Sequence, residues 1–325
     1  MEQEQPLVTI YIPCRNYGHF LNQAAESVIN QVYKNWELII IDEGSKDDTS
    51  NIAEKILKRK PEQITFVKNQ KPKGLQKLAN EVLSIANGKY MMRLDADDWL
   101  DESALFLLVN RLEASKNAGL VYGNYYYTDT DGKILDVEFR QRIGDEDLAG
   151  QLPPHGACTL FRTRALKNAG GYSEDVNAQD GWDLWYKLAD RIGATNIQVP
   201  IFYYRQHGES MSRDSKRLLQ ARSKIFEQIS SKLEGDYKPT TLAVIPVKES
   251  YPDFEGVPYK EINGRSILEI AIKNASQSNK ISSVIVSSES QKVLDFSKKL
   301  EKDGKVPAHI RLLRDKDAKS QGVPI

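Results

Sequence analysis

The amino-terminal part of the chain alternates between short apolar runs and segments of helical period, which points to a mostly parallel sheet covered by helices. Val8, Ile10 and Ile12 alternate with Thr9 and Tyr11, predicting a strand that ends at Pro13. Leu21, Ala24, Ala25, Val28, Ile29 and Val32 then recur at helical spacing. The Ile-rich run 37–41 predicts a strand buried on both faces. Asp42, Glu43, Gly44 and Ser45 break it, and Ser45 with Asp48 three residues on predicts a helix start with Ser45 as N-cap. A helix carrying Ile52, Ala53 and Ile56, a strand over 64–67, a helix over 75–86 and a strand over 90–94 continue the pattern.

Farther on, strands over 121–128 and 134–139 flank a hairpin turn at Asp131-Gly132. Residues 153–171 mix turn residues with a short helix; a helix over 182–189, a strand over 197–204 and a charged helix over 216–233 follow. Residues 235–240 read as a linker, after which the pattern restarts: strand 242–245, helix 267–275, strand 284–287, helix 293–300. The 325 residues suit two domains. The expected division is 1–212, a helix and linker over 213–240, and a partial α/β unit over 241–325. That second unit is small for a doubly wound domain, and the natural protein is expected to continue past Ile325.

The 45 basic and 45 acidic side chains cancel, which gives no argument for a nucleic-acid partner. No stretch approaches ~18 consecutive apolar residues, and the polar start does not read as a signal peptide. Cys14 and Cys158 are too few for a disulfide framework and are expected to pack as small apolar groups. A cytoplasmic protein is the simplest expectation; peripheral association with the inner face of a membrane and self-association are left open.

The strand over 90–94 runs straight into Asp95, Ala96, Asp97 and Asp98. Ligands bind at the carboxyl ends of strands in open α/β sheets. Crowded carboxylates repel and need water or a cation to stay ionised. A hard divalent cation, with phosphate oxygens completing its shell, fits such a loop. A solvated acidic turn before a helix that starts at Asp101 is the plain alternative.

At this point the residues resemble the family-2 glycosyltransferases of the GT-A fold. The matching blocks are Val8 to Asn16, Ile40 to Thr49, Gly88-Lys89-Tyr90 leading into Arg93-Leu94-Asp95-Ala96-Asp97-Asp98, Gly170-Gly171-Tyr172, Gln179 to Trp185, and Tyr204-Arg205-Gln206-His207. The resemblance implies a Rossmann-like α/β fold with a nucleotide-sugar donor pocket lined by Pro13, Arg15, Asn16, Glu43, Asp95 and Ala96. Glu43 stands where the family usually has an aspartate that bonds uracil. Asp97 and Asp98 would hold Mn²⁺ or Mg²⁺ on the donor diphosphate, and His207 matches a histidine that contacts the metal or diphosphate. Asp180 falls where the family places its catalytic base, with Gln179 replacing the commoner glutamate and Asp183 as runner-up. The implied reaction is inverting transfer from a donor, UDP-linked by expectation, to a glycan or lipid-linked acceptor.

That chemistry needs these parts. Negative charge builds on the departing diphosphate, where a divalent cation acts as a Lewis acid. The attacking hydroxyl must lose a proton, which calls for a general base. Read without the resemblance, Asp180 is a first-turn acid favoured by the helix dipole. Trp182 and Trp185 are core residues or a sugar platform, and Lys71, Lys73 and Lys77 are solvated. His155 and Gly156 are placed in an acceptor loop within 139–178.

Residues 242–288 are similar to the beginning of sugar-nucleotide cytidylyltransferases, through Ala243-Val244-Ile245-Pro246, Ile262 to Leu268 and Ile281 to Ser287. The family's glycine-rich loop is replaced by Val247 to Pro252, with Lys248 and Lys260 remaining, so no nucleotidyl transfer is expected. Two rivals to glycosyl transfer are a nucleotidyltransferase centred on the second unit and a non-catalytic nucleotide-sugar binding module.

Overall fold

In the computed structural model, the period-two pattern of the first strand becomes two cores on opposite faces of one sheet. The structure describes residues 5–140, 142–143, 154–176, 178–208, 215–231, 241–251 and 254–314. Strand β1 (Val8–Cys14) lies between β2 (Trp36–Glu43) and β4 (Tyr90–Arg93), parallel to both, and β3 (Ile64–Asn69) extends β2. Ile10, Ile12, Leu38 and Ile40 point to helices α1 (Gly18–Ile29), α2 (Thr49–Leu57) and, beyond the short β5 (Trp99–Leu100), α4 (Ala104–Ala114). Tyr11, Ile39 and Ile41 point the other way, to α3 (Leu75–Ile85), α5 (Thr163–Asn168) and α6 (Asp180–Ile192). Burying each such side chain contributes roughly 1.5–3 kcal/mol.

The rest of the sheet is mixed. β6 (Leu120–Thr128) pairs with the hairpin strand β7 (Ile134–Glu138) and with β8 (Leu160–Arg162), both antiparallel. β8 runs antiparallel to β4, while β9 (Ala194–Arg205) lies parallel to β6 and carries β5 at the edge. The path is β3-β2-β1-β4-β8-β6-β9-β5. Tyr125 stacks on Phe202 at 4.8 Å and Tyr126 on Tyr203 at 4.9 Å, on opposite faces of β6 as strand alternation requires. Helix α7 (Ser215–Ser230) packs Ala221 and Ile225 on Val176. It therefore belongs to the first unit, which ends at Lys232.

Two further expectations change. Ser45 does not cap α2: its backbone N–H donates to Asp42 (2.8 Å) and its hydroxyl accepts from the Asn16 N–H (2.9 Å), so it belongs to the loop after β2. The helix begins at Thr49 instead. Helix α4 likewise starts at Ala104, three residues after Asp101.

The second unit, Leu233–Ile325, has a parallel sheet of β10 (Leu242–Val247), β11 (Ser283–Ser288) and β12 (Ile310–Leu313). Helices α8 (Ile267–Ser276) and α9 (Gln291–Lys302) cover one face through Leu268, Ile272, Val293 and Leu294. Ser266 accepts from the Glu269 N–H at 3.2 Å and caps α8. Leu242, Val244, Ile310 and Leu312 are exposed on the strands. No helix among the described residues is long and apolar enough to cross a membrane.

Candidate active site

The carboxyl ends of β1, β2 and β4 open into a cavity of about 600 Å³, closed on its far side by the start of α6 and by α7. Pro13, Arg15, Glu43, Asp95, Ala96 and Asp97 line it, together with Asp180. Apart from Asn16, the donor residues expected from the sequence therefore share one cleft with Asp180. Asn16 is not among the lining residues; its side chain accepts from the Lys46 N–H at 2.8 Å.

Arg93 ties the two sides together. It is 5% exposed, and its Nε lies 2.8 Å from Asp95 while Nη1 lies 2.5 Å from the Asp180 carboxylate. Burial pushes the guanidinium pKa down, but Asp180 and Asp95 more than offset it and hold it well above its ordinary value. Both carboxylates thus meet a permanent positive charge out of water.

Asp97 faces the imidazole of His207, 2.9 Å from Nε2, and that ring packs edge-on to Tyr17. Burial, then the nearby Asp95, raises the Asp97 pKa. Asp98 is buried behind the cavity wall, with one oxygen accepting from the Arg205 N–H at 2.9 Å. Its Oδ2 is buried without a hydrogen-bond partner among the described residues. Burial, then Asp97 and Asp95, pushes its pKa far up. Among the described residues no group of three or more His, Cys, Asp or Glu is arranged to hold a metal ion. A carboxylate beside an imidazole, and an orphaned carboxylate oxygen on the next residue, do fit a cation held by one or two side chains with phosphate oxygens completing the shell.

Glu43 lines the cavity, but its oxygens accept from Asn69 Nδ2 (2.5 Å) and from the N–H groups of Lys73 (2.8 Å) and Gly74 (3.3 Å). It fixes the loop that forms one wall. Asp183, the runner-up base, is 5% exposed and holds Ser173 N–H, Ser173 Oγ and Lys187, so it anchors the turn before α6. Trp185 is a core residue against Tyr122, whereas Trp182 lines the cavity. Lys71, Lys73 and Lys77 are exposed. Cys14 and Cys158 are free and buried.

Close packing places Asp180. Gln179 adopts φ +61°, a left-handed conformation uncommon outside glycine, and its carbonyl caps α6 by accepting from Trp182 and Asp183. Gly156 lies so near that a Cβ there would stand 2.5 Å from Asp180 Oδ2. Gly156→Ala is therefore expected to displace the carboxylate and lower activity at least about tenfold. The fold should lose only about 1–3 kcal/mol from overpacking. Steady-state rates and thermal melts of the variant check this.

His155 lines the same cavity, its ring 5.1 Å from that of Tyr204, and its Nδ1 is buried without a partner among the described residues. Burial lowers its pKa and keeps the imidazole neutral. The sequence placed His155 and Gly156 in an acceptor loop; both stand within reach of the cleft. Arg140, Gln179, Arg217 and Arg222 also line it, and sequence reasoning gave none of them a binding role.

A mostly parallel sheet that presents carboxylates at its strand ends to such a cavity has a ligand site where open α/β sheets bind their ligands. Residues 9–170 match the family model described as Glycosyl transferase family 2. The chain carries a family-2 glycosyltransferase domain. It is similar to chondroitin synthase of Escherichia coli, 29% identical over 209 residues, which are 64% of this chain and 30% of that protein. The chain thus matches less than a third of that relative's length. Two solved structures share the GT-A fold. TarS 1–349 of S. aureus in complex with UDP-GlcNAc has a TM-score of 0.56 at 17% identity, covering 71% of this chain and 68% of that one. The mannosyltransferase PcManGT of Pyrobaculum calidifontis in complex with GDP-Man and Mn²⁺ has a TM-score of 0.55 at 18% identity, covering 71% and 66%.

Proposed function

We propose that the first unit is an inverting glycosyltransferase that moves a sugar from a UDP-linked donor to a hydroxyl of a glycan or lipid-linked acceptor. The observation that carries this reading is the shared cleft: Asp97 and Asp180 line one cavity, with Arg93 between their elements. The acceptor oxygen bonds the anomeric carbon as the bond to the diphosphate breaks, and the hydroxyl proton passes to Asp180. One displacement from the face opposite the leaving group inverts that carbon. Arg93 holds the Asp180 carboxylate in place, and Gly156 leaves room for it. Asp97, with His207 beside it and Asp98 behind, is the place for Mn²⁺ or Mg²⁺. When bound, that cation neutralises charge on the departing diphosphate. Pro13, Arg15 and Ala96 line the nucleotide half. Complexes of fold neighbours with UDP-GlcNAc, and with GDP-Man and Mn²⁺, support both donor class and metal.

We assign no nucleotidyl transfer to the second unit. Lys248 is exposed, and Lys260 sits over the Phe254 ring at 5.6 Å.

A thermal-shift panel tests the donor reading. UDP with Mn²⁺ is expected to raise the melting temperature, by about 2.7 kcal/mol of added stability at a hundredfold excess over Kd. UDP without metal should do much less. Equal shifts with and without Mn²⁺, or none with UDP, would contradict it.

A further inference from the structure

Among the described residues, the charges of the cavity do not balance locally. Its four lining carboxylates are all engaged within the protein: Asp95 and Asp180 by Arg93, Asp97 by His207, and Glu43 by Asn69 and two backbone N–H groups. Those contacts consume one arginine, and Arg140 meets Glu138 outside the cavity lining, yet Arg15 and Arg222 line the cavity too. Arg222 is the most informative. It has no carboxylate partner among the described residues. Its Nε donates to Gln179 Oε1 at 3.0 Å, and its guanidinium lies 4.5 Å from the centre of the Trp182 ring.

Both partners are neutral, so they orient the guanidinium without cancelling its charge. Both also flank Asp180, and Gln179 does so in a left-handed backbone conformation. Arg140 adds a second donor: its Nε is buried without a hydrogen bond among the described residues and forms an ion pair with Glu138 at 3.6 Å. An arginine fork beside an indole face suits a sugar ring that carries an anion, through bidentate hydrogen bonds and stacking.

We propose that Arg222, held by Gln179 and Trp182, binds a negatively charged group on the acceptor sugar, a carboxylate or a phosphate ester, so that this domain extends an anionic glycan. The inference rests on the glycosyl-transfer reading, which puts the donor diphosphate at Asp97 and the acceptor at Asp180. A glutamate at position 179 would pair with Arg222 and abolish the site while leaving its geometry intact.

The test uses the full chain with UDP and Mn²⁺, whose binding is verified first. Methyl β-glucuronide, glucose 6-phosphate and the neutral methyl β-glucoside are then titrated by saturation-transfer NMR. At least one anionic sugar is expected to bind about tenfold or more tightly than the neutral one, the worth of one charge-assisted contact. The uronate and phosphate arms tell which anion is read. Arg222→Gln and Gln179→Glu should erase the preference, and Arg222→Lys should keep part of it. Equal binding of charged and neutral sugars, no binding of either anion, or a preference that survives Arg222→Gln would overturn the proposal, as would an Arg222→Gln variant that weakens UDP instead. Failure of UDP to bind at the outset would instead remove the donor reading beneath it.

Discussion

Asp180→Asn is expected to lower the rate of sugar transfer by a factor of about 10²–10⁴ while UDP binding and the fold persist. The side chain is 10% exposed, opens on the cavity, and is held 2.5 Å from Arg93. An amide still accepts a hydrogen bond from Arg93, so the geometry survives. It cannot take a proton from the attacking hydroxyl, so the chemistry does not. Arg93 also keeps Asp95 as a charge partner, which limits the loss of stability. Transfer assayed by product formation, beside a thermal melt and UDP titration, separates these effects. A fall of less than about tenfold would show that some other group accepts the proton.

Arg93→Met is expected to destabilise the first unit by about 3–5 kcal/mol, because it strips the cation from two carboxylates that stay where they are. The guanidinium is 5% exposed, and solvent cannot replace it cheaply. Adding Asp180→Asn to Arg93→Met removes one stranded charge and should recover part of the loss, so the two substitutions are not additive. Denaturant unfolding of the two single variants and the double variant measures this coupling. An Arg93→Met protein within about 1 kcal/mol of the parent would mean that the triad contributes nothing to folding.

Much of this was legible in the sequence, for reasons that can be traced. Ile10, Tyr11 and Ile12 alternate because β1 divides two cores, and that period survives in a single sequence. The edge strand β5 and the three-residue β8 were missed. Each is too short to show a period, and each exists because distant strands, β9 for one and β4 with β6 for the other, supply its partners. Ser45 misled because the short polar residues that cap helices also close loops.

At the site, Asp97 and Asp180 were read from motif blocks, and the fold brings both to one cavity. Arg93 was quoted within a block but given no role, although a lone arginine in the apolar run Tyr90-Met91-Met92 had to find a buried partner. Arg222 was invisible. Its helix reads as a charged surface, and only the packing of α7 near Val176 shows that its arginines, Arg217 and Arg222, face the cleft.

The most direct measurement is an anomalous-difference map from crystals of the full chain grown with UDP and Mn²⁺. A manganese peak within coordination distance of Asp97, joined to a diphosphate in the cleft that Asp180 faces, is the predicted result. A peak elsewhere, or UDP outside that cleft, would contradict the assignment of donor and base to opposite sides of one site.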